Sequence, residues 1–421
     1  MKTISVASLR VLGALSAAYF ISQFFRASIA VISPDLARDL ALSPEALGTV
    51  TGAFFLAFGA TQIPLGIMLD RFGPRRAIAG LLLATVAGSM IFAMADSLAI
   101  LTLGRALIGV GCAGVFMGSV VVCARWFPPD RLATAAAVVL AVGGTGNLLA
   151  ATPLAYAADH IGWRGAFVAM AGLSLVMAGV VFALVRDAPP DHPFHQRRRE
   201  TLRDTLRGMR EVLGNPRLPF IALMAFVAYS SMATVLTLWA GPYLADVHGL
   251  DGVARGNVLL LPSLGLIAGP LCYGPLDRLL DTRKWLVVGG ALATIGVLGS
   301  LAVVPEPPLW LAVALLTLLG FVGTYSIMIM THGRASFPER LVGRAVTIVN
   351  FANFTGVAVM QFMVGAIVGT FELADGAAPE IAYRTAFGFL AVTLIIALSF
   401  YLRVGDAKPS RDPRDGSDPV L

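Results

Sequence analysis

A single arginine, Arg26, lies inside an otherwise apolar segment near the start of the chain, between Val11 and Ile32. About twenty apolar residues are enough for a helix to cross the hydrocarbon core of a bilayer. A guanidinium at that depth costs on the order of 3 kcal/mol or more unless a partner or an aqueous cavity receives it. Its planar fork of donors fits the oxygens of a carboxylate or a phosphate. Arg26 is therefore a candidate anion-binding residue, provided that the other elements of the chain form a cavity that it faces.

The composition is that of a protein with many membrane-spanning segments. Hydrophobic residues make up 57% of the 421 residues, charged residues make up 13%, and the mean hydropathy is +0.80. A soluble chain of this length cannot bury so much apolar surface. The cysteines and histidines lack the spacing of a disulfide framework or a metal site, and no nucleophile lies beside a base. We therefore expect no metal, no cofactor and no enzymatic activity. The net charge of +6 follows the connections and indicates no nucleic-acid partner.

Twelve apolar segments predict an all-α membrane protein with twelve transmembrane helices. The predicted spans are 11–36, 45–69, 77–95, 98–124, 132–157, 164–185, 218–245, 255–276, 285–304, 309–331, 342–369 and 383–402. Of the Lys and Arg residues, 25 lie at the termini or in the connections that follow even-numbered spans, and four lie in the opposite connections. Positive charge marks the cytoplasmic side. We expect a multi-pass protein of a bacterial-type inner membrane, with both termini in the cytoplasm.

The longest connection, residues 187–217, divides the spans into two sets of six. We predict an N-terminal six-helix bundle at 1–186, a C-terminal six-helix bundle at 218–404 and a disordered cytoplasmic tail at 405–421. Within the connection, apolar residues recur at helical spacing between basic neighbours, at Leu202, Leu206, Met209 and Leu213. This pattern predicts an amphipathic helix on the anionic inner leaflet. A solvated basic linker is an equally good interpretation.

The two halves of the chain are copies of each other. A shift of 209 residues lays 125–132 over 334–341, and a shift of 220 residues lays 163–167 over 383–387. A shift of 208 residues pairs Pro34 with Pro242 and Gly66 with Gly274. Repeats of six spans place a binding site on their shared pseudo-two-fold axis, near the bilayer midplane.

The connection between spans 2 and 3 carries the most specific signature, Gly66-Ile-Met-Leu-Asp70-Arg71-Phe-Gly73-Pro74-Arg75-Arg76. It fits, residue for residue, the Gly-x-x-x-Asp-Arg-x-Gly-x-Arg-Arg loop of the major facilitator superfamily, which the chain resembles over essentially its whole length. A weaker copy follows span 8, with Gly274, Asp277 and Arg278, and span 4 carries Arg105-x-x-x-Gly109-x-Gly111. The resemblance implies a secondary transporter with two pseudo-symmetric six-helix bundles that works by alternating access.

The resemblance also implies a gate at the first of these loops. Asp70 would cap the start of the facing eleventh span and, with Arg71 and Arg75, latch the cytoplasmic gate in the outward-open state. Gly73 supplies a tight turn, and Arg125 is expected to complete a charge network with Asp70. The alternative is a basic loop that only sets the orientation of the spans.

Arg105 lies in the outer third of span 4 and has two interpretations. The resemblance implies that it relays charge during transport. The alternative is that it pairs with backbone carbonyls and polar neighbours.

The surroundings of Arg26, from Tyr19 to Pro34, resemble span 1 of the organic-anion branch of the superfamily, the anion:cation symporters. There an arginine in this place belongs to the site for an acidic substrate; the alternative is a structurally neutralised or snorkelling side chain. The branch commonly has Asp just before the arginine and Glu within span 4, and here those positions are Phe25 and Cys112. The resemblance therefore supports anion recognition, while anion exchange or potential-driven facilitation becomes more plausible than proton coupling.

Polar residues of the C-terminal half are further candidates for substrate contact. Asn350 and Asn353 share one helical face, and Tyr229 with Tyr19 could bind substrate hydroxyl groups. A dianion would prefer a second buried cation, and the sequence does not identify one. We expect a small monovalent organic anion, a carboxylate, as the partner of a monomeric transporter. A multidrug or hydrophobic-compound exporter that tolerates loss of Arg26 is the alternative, and a non-transporting sensor is a third.

Overall fold

The computed structural model describes residues 6–189, 210–335, 337, 341–371 and 377–411. Within these ranges, twelve helices are long and apolar enough to cross a membrane. We number them α1 (Val6–Leu40), α2 (Pro44–Phe72), α3 (Pro74–Ala93), α4 (Leu98–Trp126), α5 (Arg131–Leu149), α6 (Thr152–Leu184), α7 (Leu218–Asp246), α8 (Gly252–Leu279), α9 (Lys284–Val303), α10 (Leu309–Ala335), α11 (Val342–Gly369) and α12 (Glu380–Tyr401). The predicted all-α fold with twelve membrane-spanning helices is confirmed.

The chain forms two compact units. The first comprises residues 1–202 and 251–260, so its described part contains α1 to α6 and the beginning of α8. The second comprises 203–250 and 261–421, so its described part contains α7, the rest of α8 and α9 to α12.

Helix α2 has clear start and stop signals. Ser43 precedes it with an extended backbone, and its hydroxyl accepts a hydrogen bond from the amide of Ala46. Gly73 ends it with φ +80°, a left-handed conformation that residues with a Cβ rarely adopt. Pro74 then starts α3, where its missing N–H costs no helical hydrogen bond. The sequence-predicted tight turn between spans 2 and 3 therefore has a defined geometry.

The fifth predicted span, 132–157, is interrupted in the structure. Helix α5 ends at Leu149, and Ala151 has a non-helical backbone at φ −95° and ψ −115°. Pro153 has no N–H to donate to the carbonyl of Leu149, so the helical ladder breaks at this point. The helix that resumes at 152 turns at Gly162, where φ is +72°, before the sixth predicted span begins. The predicted boundary between the two spans thus coincides with a glycine turn inside α6.

Three spans are irregular in their interior: one is interrupted and two change their helical type. The first helix of α4 ends at Ala113, and a second one begins at Val115. Helix α7 contains a π-helical segment at Val235–Trp239, whose five residues are all buried. Helix α10 contains a 3₁₀ turn at Gly323–Tyr325. Such irregular turns inside helices are frequent at functional positions.

Glycines allow several helices to approach closely. A Cβ at Gly109 of α4 would collide with the carbonyl of Phe54 on α2, and one at Gly356 of α11 would collide with the carbonyl of Phe226 on α7. Gly109, the first glycine of the Arg-x-x-x-Gly-x-Gly element, therefore has a packing role in the first unit.

The predicted amphipathic helix of the connection falls mostly on residues 190–209, which lie outside the described residues. The residues that follow are helical at 210–213, and Val212 is buried in a cluster with Leu218, Phe337 and Leu341. At the end of the chain, 412–421 also lie outside the described residues.

Candidate functional site

Arg26 lies in the middle of α1, far from both of its ends. Its side chain is partly exposed, and its guanidinium lies over the ring of Phe58 on α2, 5.1 Å from the ring centroid. The preceding residues, Phe24 and Phe25, are buried. A cation is attracted to the face of an aromatic ring, and a guanidinium carries its N–H donors in its own plane, at its edge. The geometry suits the recognition of an anion from the exposed side.

Tyr19 lies two helical turns before Arg26, on the same face of α1. Its ring packs against Phe116 with centroids 5.0 Å apart. The ring also packs against Gly143 of α5, where an added Cβ would overlap the ring. The structure therefore brings Tyr19 and Arg26 onto one face and holds the tyrosine by packing.

Arg105 is fully buried, with 0% of its surface exposed. Its Nη1 donates a hydrogen bond of 3.0 Å to the backbone carbonyl of Phe25, the residue just before Arg26. The guanidinium lies over the ring of Phe54 at 4.6 Å and near that of Phe92 at 6.0 Å. Its Nε and Nη2 have no hydrogen-bond partner within the described part of the chain. In this arrangement Arg105 pairs with a backbone carbonyl, which is one of the two interpretations from the sequence.

Cys112, two helical turns beyond Arg105, occupies the place where the resemblance leads one to expect an acid. It is buried, and its backbone carbonyl accepts a hydrogen bond of 3.3 Å from the Ser22 hydroxyl. Its side chain lies within electrostatic range of both Arg26 and Arg105. The two arginines therefore share one neighbourhood in the first unit.

The loop between α2 and α3 is tied to the segment after α6. Asp187 accepts a 2.7 Å hydrogen bond at Oδ1 from the backbone amide of Arg75. The Arg75 side chain donates to the carbonyl of Phe182 at 2.7 Å and lies over the Phe182 ring. Arg125 donates to the backbone carbonyl of Asp187 at 3.2 Å. Asp70 and Arg71 are exposed at the end of α2.

The second unit contains the corresponding loop. Asp277 forms an ion pair with Arg283 at 3.8 Å, and Arg283 is 2% exposed. Asp406 accepts hydrogen bonds from the backbone amides of Arg283 at 3.2 Å and Lys284 at 3.0 Å. Arg278 is exposed beside them.

Asp187 and Asp406 contact the two loops, and the motifs alone do not reveal these contacts. The sequence does carry a signal for them, because Val-x-Asp-Ala follows the last span of each half, at 185–188 and at 404–407.

The candidates of the C-terminal half lie on α7 and α11, two helices of the second unit that pack against each other. The ring of Tyr229 on α7 meets that of Phe354 on α11 edge to face, with centroids 5.7 Å apart. Asn353 is buried, and its Oδ1 has no hydrogen-bond partner among the described residues. Asn350, one turn earlier, is partly exposed. These side chains offer neutral donors and acceptors and carry no charge.

A second buried arginine of the first unit lies at the start of α8. Arg255 is 4% exposed, and two of its nitrogens donate to the carbonyl of Val31, at 3.1 and 2.7 Å. It also pairs with Asp35 at 3.5 Å. Its charge is therefore compensated by a carboxylate.

Comparison with known proteins matches the chain to one superfamily. The sequence profile of the Major Facilitator Superfamily matches residues 15–359 and 221–420. The probable sulfoacetate transporter SauU of Cupriavidus necator is 26% identical over 310 residues, which cover 69% of this chain and 70% of that protein. The probable galactarate/D-glucarate transporter GudP of Escherichia coli is 24% identical, with 91% of this chain and 90% of that protein covered. The crystal structure of the nucleoside transporter NupG superposes with a TM-score of 0.78 at 11% identity, covering 93% of this chain and 99% of that chain.

Proposed function

Because the chain belongs to the Major Facilitator Superfamily and is a membrane transporter rather than an enzyme, we propose that it moves a small organic anion across the membrane by alternating access. The observation that carries the proposal is the partly exposed residue Arg26 in the middle of the first span, whose guanidinium lies over Phe58. The matched relatives SauU and GudP are named for sulfoacetate and for sugar diacids, and both kinds of compound are organic acids.

Arg26 binds the acid group of the substrate in this proposal. A carboxylate accepts two parallel hydrogen bonds from a guanidinium, which fixes both its position and its orientation. Hydroxyl or carbonyl groups of the substrate are bound by Tyr19, on the same face of α1, and by polar side chains of the second unit. These side chains are Tyr229, Asn350 and Asn353. Neutral donors and acceptors suit these groups, because they need no compensating charge.

The residues next to Arg26 and Arg105 are relevant to how transport is coupled to an energy source. Proton symport needs a group that gains and loses a proton during the cycle, and a buried carboxylate is the usual choice. Phe25 and Cys112 lie beside the two arginines, where a carboxylate would have been suited to this task. We propose anion exchange, or facilitated movement driven by substrate charge, as the mode of transport.

The cytoplasmic gate completes the proposal. The gate is latched by Asp70 together with Arg71 and Arg75, in the loop between α2 and α3. Gly66 and Gly73 shape this loop, and Arg125 adds charge to it. Asp277 and Arg278 act in the second copy of the loop. The excess of Lys and Arg in the connections favours an inner-membrane protein with both termini in the cytoplasm. We propose that the transporter works as a monomer.

The test is thermal unfolding of the purified protein against carboxylates, sugars, amino acids and lipophilic cations. A ligand that binds only the folded state stabilises it by about 2.7 kcal/mol at a hundredfold excess over its Kd. We expect a carboxylate to raise the Tm of the wild type and not that of Arg26→Ala. Arg38→Ala is the matched control, because Arg38 lies on the same helix with 76% of its side chain exposed. Stabilisation by cations or neutral amphiphiles that is indifferent to Arg26 would overturn the proposal in favour of an exporter.

A further inference from the structure

The π-helical segment of α7, Val235–Trp239, is stabilised by two side chains that donate hydrogen bonds to the carbonyls just before it. The hydroxyl of Thr237 donates to the carbonyl of Ala233 at 2.7 Å. From α11, Nε2 of Gln361 donates to the carbonyl of Thr234 at 3.3 Å and to the hydroxyl oxygen of Thr237 at 3.1 Å. A side chain of another helix therefore enters the hydrogen-bond ladder of α7 where its spacing changes.

The amide of Gln361 makes both of its contacts in only one orientation. A backbone carbonyl can only accept a hydrogen bond, and the hydroxyl of Thr237 already gives its hydrogen to Ala233. Both oxygens therefore require the donating Nε2 group and not Oε1. Gln361 is fully buried, with 0% of its surface exposed. An apolar side chain of the same length would leave both acceptors without this donor.

The repeat of the two halves links the glutamine to the π turn. Helix α1, which a shift of 208 residues lays over α7, is α-helical over its whole described length. A shift of 209 residues places Gln361 over Thr152, beyond the end of α5. The π turn thus occurs in the copy that has the glutamine. It begins directly after Thr234, the residue that the shift of 208 pairs with Arg26.

A glutamine of the first unit makes the same kind of contact elsewhere. Nε2 of Gln62 on α2 donates to the carbonyl of Ala113 at 3.1 Å, where the first helix of α4 ends. Gln62 and Gln361 are both buried, and both bind a carbonyl where a membrane-spanning helix loses its regular spacing. The hydrocarbon core supplies no water to such a carbonyl, so a donor from a neighbouring helix stabilises the irregular turn.

We infer that Gln361 is a positioning residue for substrate binding, because it holds the turn that sets the direction of Tyr229. This inference rests on the proposed function, in which Tyr229 of α7 and Asn353 of α11 bind the substrate. A π turn adds about one residue to a helical turn, so its loss rotates the preceding part of the helix by roughly 100° relative to the part that follows. Tyr229 precedes the turn, and Gln361 ties the turn to the helix that carries Asn353.

The first test is the structure of Gln361→Met, a variant of similar length that has no donor. In a regular α-helix the carbonyl of Thr234 accepts from the amide of Leu238, four residues later. The helix can therefore satisfy this carbonyl without the glutamine, and we expect a crystal structure of the variant to be α-helical through Val235–Trp239. A π turn that persists in the variant would overturn the inference, whatever the protein transports.

The second test asks whether the turn acts on the substrate through Tyr229. Isothermal titration with galactonate and with sulfoacetate measures the Kd of the purified protein. We expect Gln361→Met to raise the Kd of the tighter-binding probe at least tenfold. In a Tyr229→Phe background, which lacks the hydroxyl, Gln361→Met should raise the Kd less than threefold, because the two residues act in series. A merely structural role would raise the Kd by the same factor in both backgrounds.

Variants of Thr237 keep the test valid if Gln361→Met does not fold. Valine has nearly the shape of threonine without its hydroxyl, and serine keeps the hydroxyl. We expect Thr237→Val to raise the Kd at least fivefold and Thr237→Ser to stay within twofold of the wild type. Thr294→Val on α9 is the matched control, because Thr294 is also buried and also donates to the carbonyl four residues earlier. It should bind the probe like the wild type.

The outcomes separate this inference from the proposed function. If a probe binds in an Arg26-dependent manner, but Gln361→Met or Thr237→Val binds it like the wild type, the role of Gln361 is refuted while the proposed function stands. An equal rise in Kd with and without the Tyr229 hydroxyl refutes it as well. If neither probe binds in an Arg26-dependent manner, the proposed function fails and the inference with it.

Discussion

Asp187 and Asp406 occupy equivalent places in the two units, and each binds the start of the third helix of its own unit. Asp187 follows α6 and accepts a hydrogen bond from the amide of Arg75 at 2.7 Å. Asp406 follows α12 and accepts from the amides of Arg283 at 3.2 Å and Lys284 at 3.0 Å. The first amides of a helix have no intrahelical acceptor, and a carboxylate also interacts favourably with the positive end of the helix dipole. In each half, an acid after the last span therefore stabilises the start of a helix that is remote in sequence.

We expect Asp406→Asn to lower the Tm by about 0.5–2 °C at pH 7. Burial raises the pKa of this carboxyl, but hydrogen bonds from Lys284, Thr282 and Arg283 outweigh that effect and hold the pKa below its ordinary value of 3.8. Loss of the charge should cost about 0.5–1 kcal/mol, a modest amount because Asp406 is exposed to solvent.

The loss of stability in Asp406→Asn should depend on pH in one direction. A carboxyl with a lowered pKa in the folded state contributes stability above the pKa of the unfolded chain, and the contribution is lost as the pH falls through the folded value. The difference between wild type and Asp406→Asn should therefore shrink below about pH 4. Asp96→Asn, on the exposed connection between α3 and α4, is the control. A deficit that stays constant from pH 7 to pH 3 would contradict the role of the carboxylate.

Gly109 provides a test of close helix packing. A Cβ at this position would collide with the carbonyl of Phe54, so α2 and α4 would have to separate. Gly109→Ala should cost about 1–3 kcal/mol, as overpacking does in well-packed interiors. The matched control is Gly80→Ala on α3, where a Cβ meets nothing within 4 Å. Alanine favours helices over glycine, so we expect the control to be neutral or slightly stabilising in thermal unfolding. Equal Tm values for the two variants would show that the contact tolerates a methyl group.

The sequence predicts the spans well, because the bilayer imposes both a length and an apolar composition. The predicted span 218–245 corresponds to α7, Leu218–Asp246, within one residue. The interruption after Leu149 is harder to predict, since proline is tolerated inside membrane helices when neighbouring groups satisfy the freed carbonyl. Whether Pro153 kinks or breaks a span depends on packing that the one-dimensional pattern does not contain.

The contacts of the buried arginines are largely invisible in the sequence. Arg105 donates to the carbonyl of Phe25, and every residue carries such a carbonyl, so no side-chain pattern marks the acceptor. Arg105 also pairs with rings from α2 and α3, and apolar membrane helices contain many aromatic residues. By contrast, Asp187 and Asp406 leave a trace in the repeat. An acid that recurs at the same place in both halves is a sequence signal with a structural cause.

Asp70 is expected to control turnover more than binding. It lies at the end of α2, in the loop for which we propose a cytoplasmic latch. A carboxylate that holds one conformation in an alternating cycle affects the rates of exchange between states, whereas the proposed function assigns the binding of the anion to Arg26. Asp70→Asn should slow transport severalfold in proteoliposomes and leave the Kd of the substrate within about twofold. Asp96→Asn should transport like the wild type. Unchanged turnover in Asp70→Asn would remove the latch from the proposed mechanism.

Arg26→Lys separates the charge of Arg26 from its shape. Lysine keeps the positive charge, but its ammonium cannot form two parallel hydrogen bonds with a carboxylate and is more strongly hydrated. It also lacks the planar surface that lies 5.1 Å from the ring centroid of Phe58. We expect Arg26→Lys to bind the substrate at least tenfold more weakly and Arg26→Ala to show no measurable binding. The Tm of both variants without ligand should stay close to that of the wild type, because the side chain is partly exposed. If Arg26→Lys binds like the wild type, charge alone suffices and bidentate recognition is excluded; if Arg26→Ala does so, Arg26 is not the anion site.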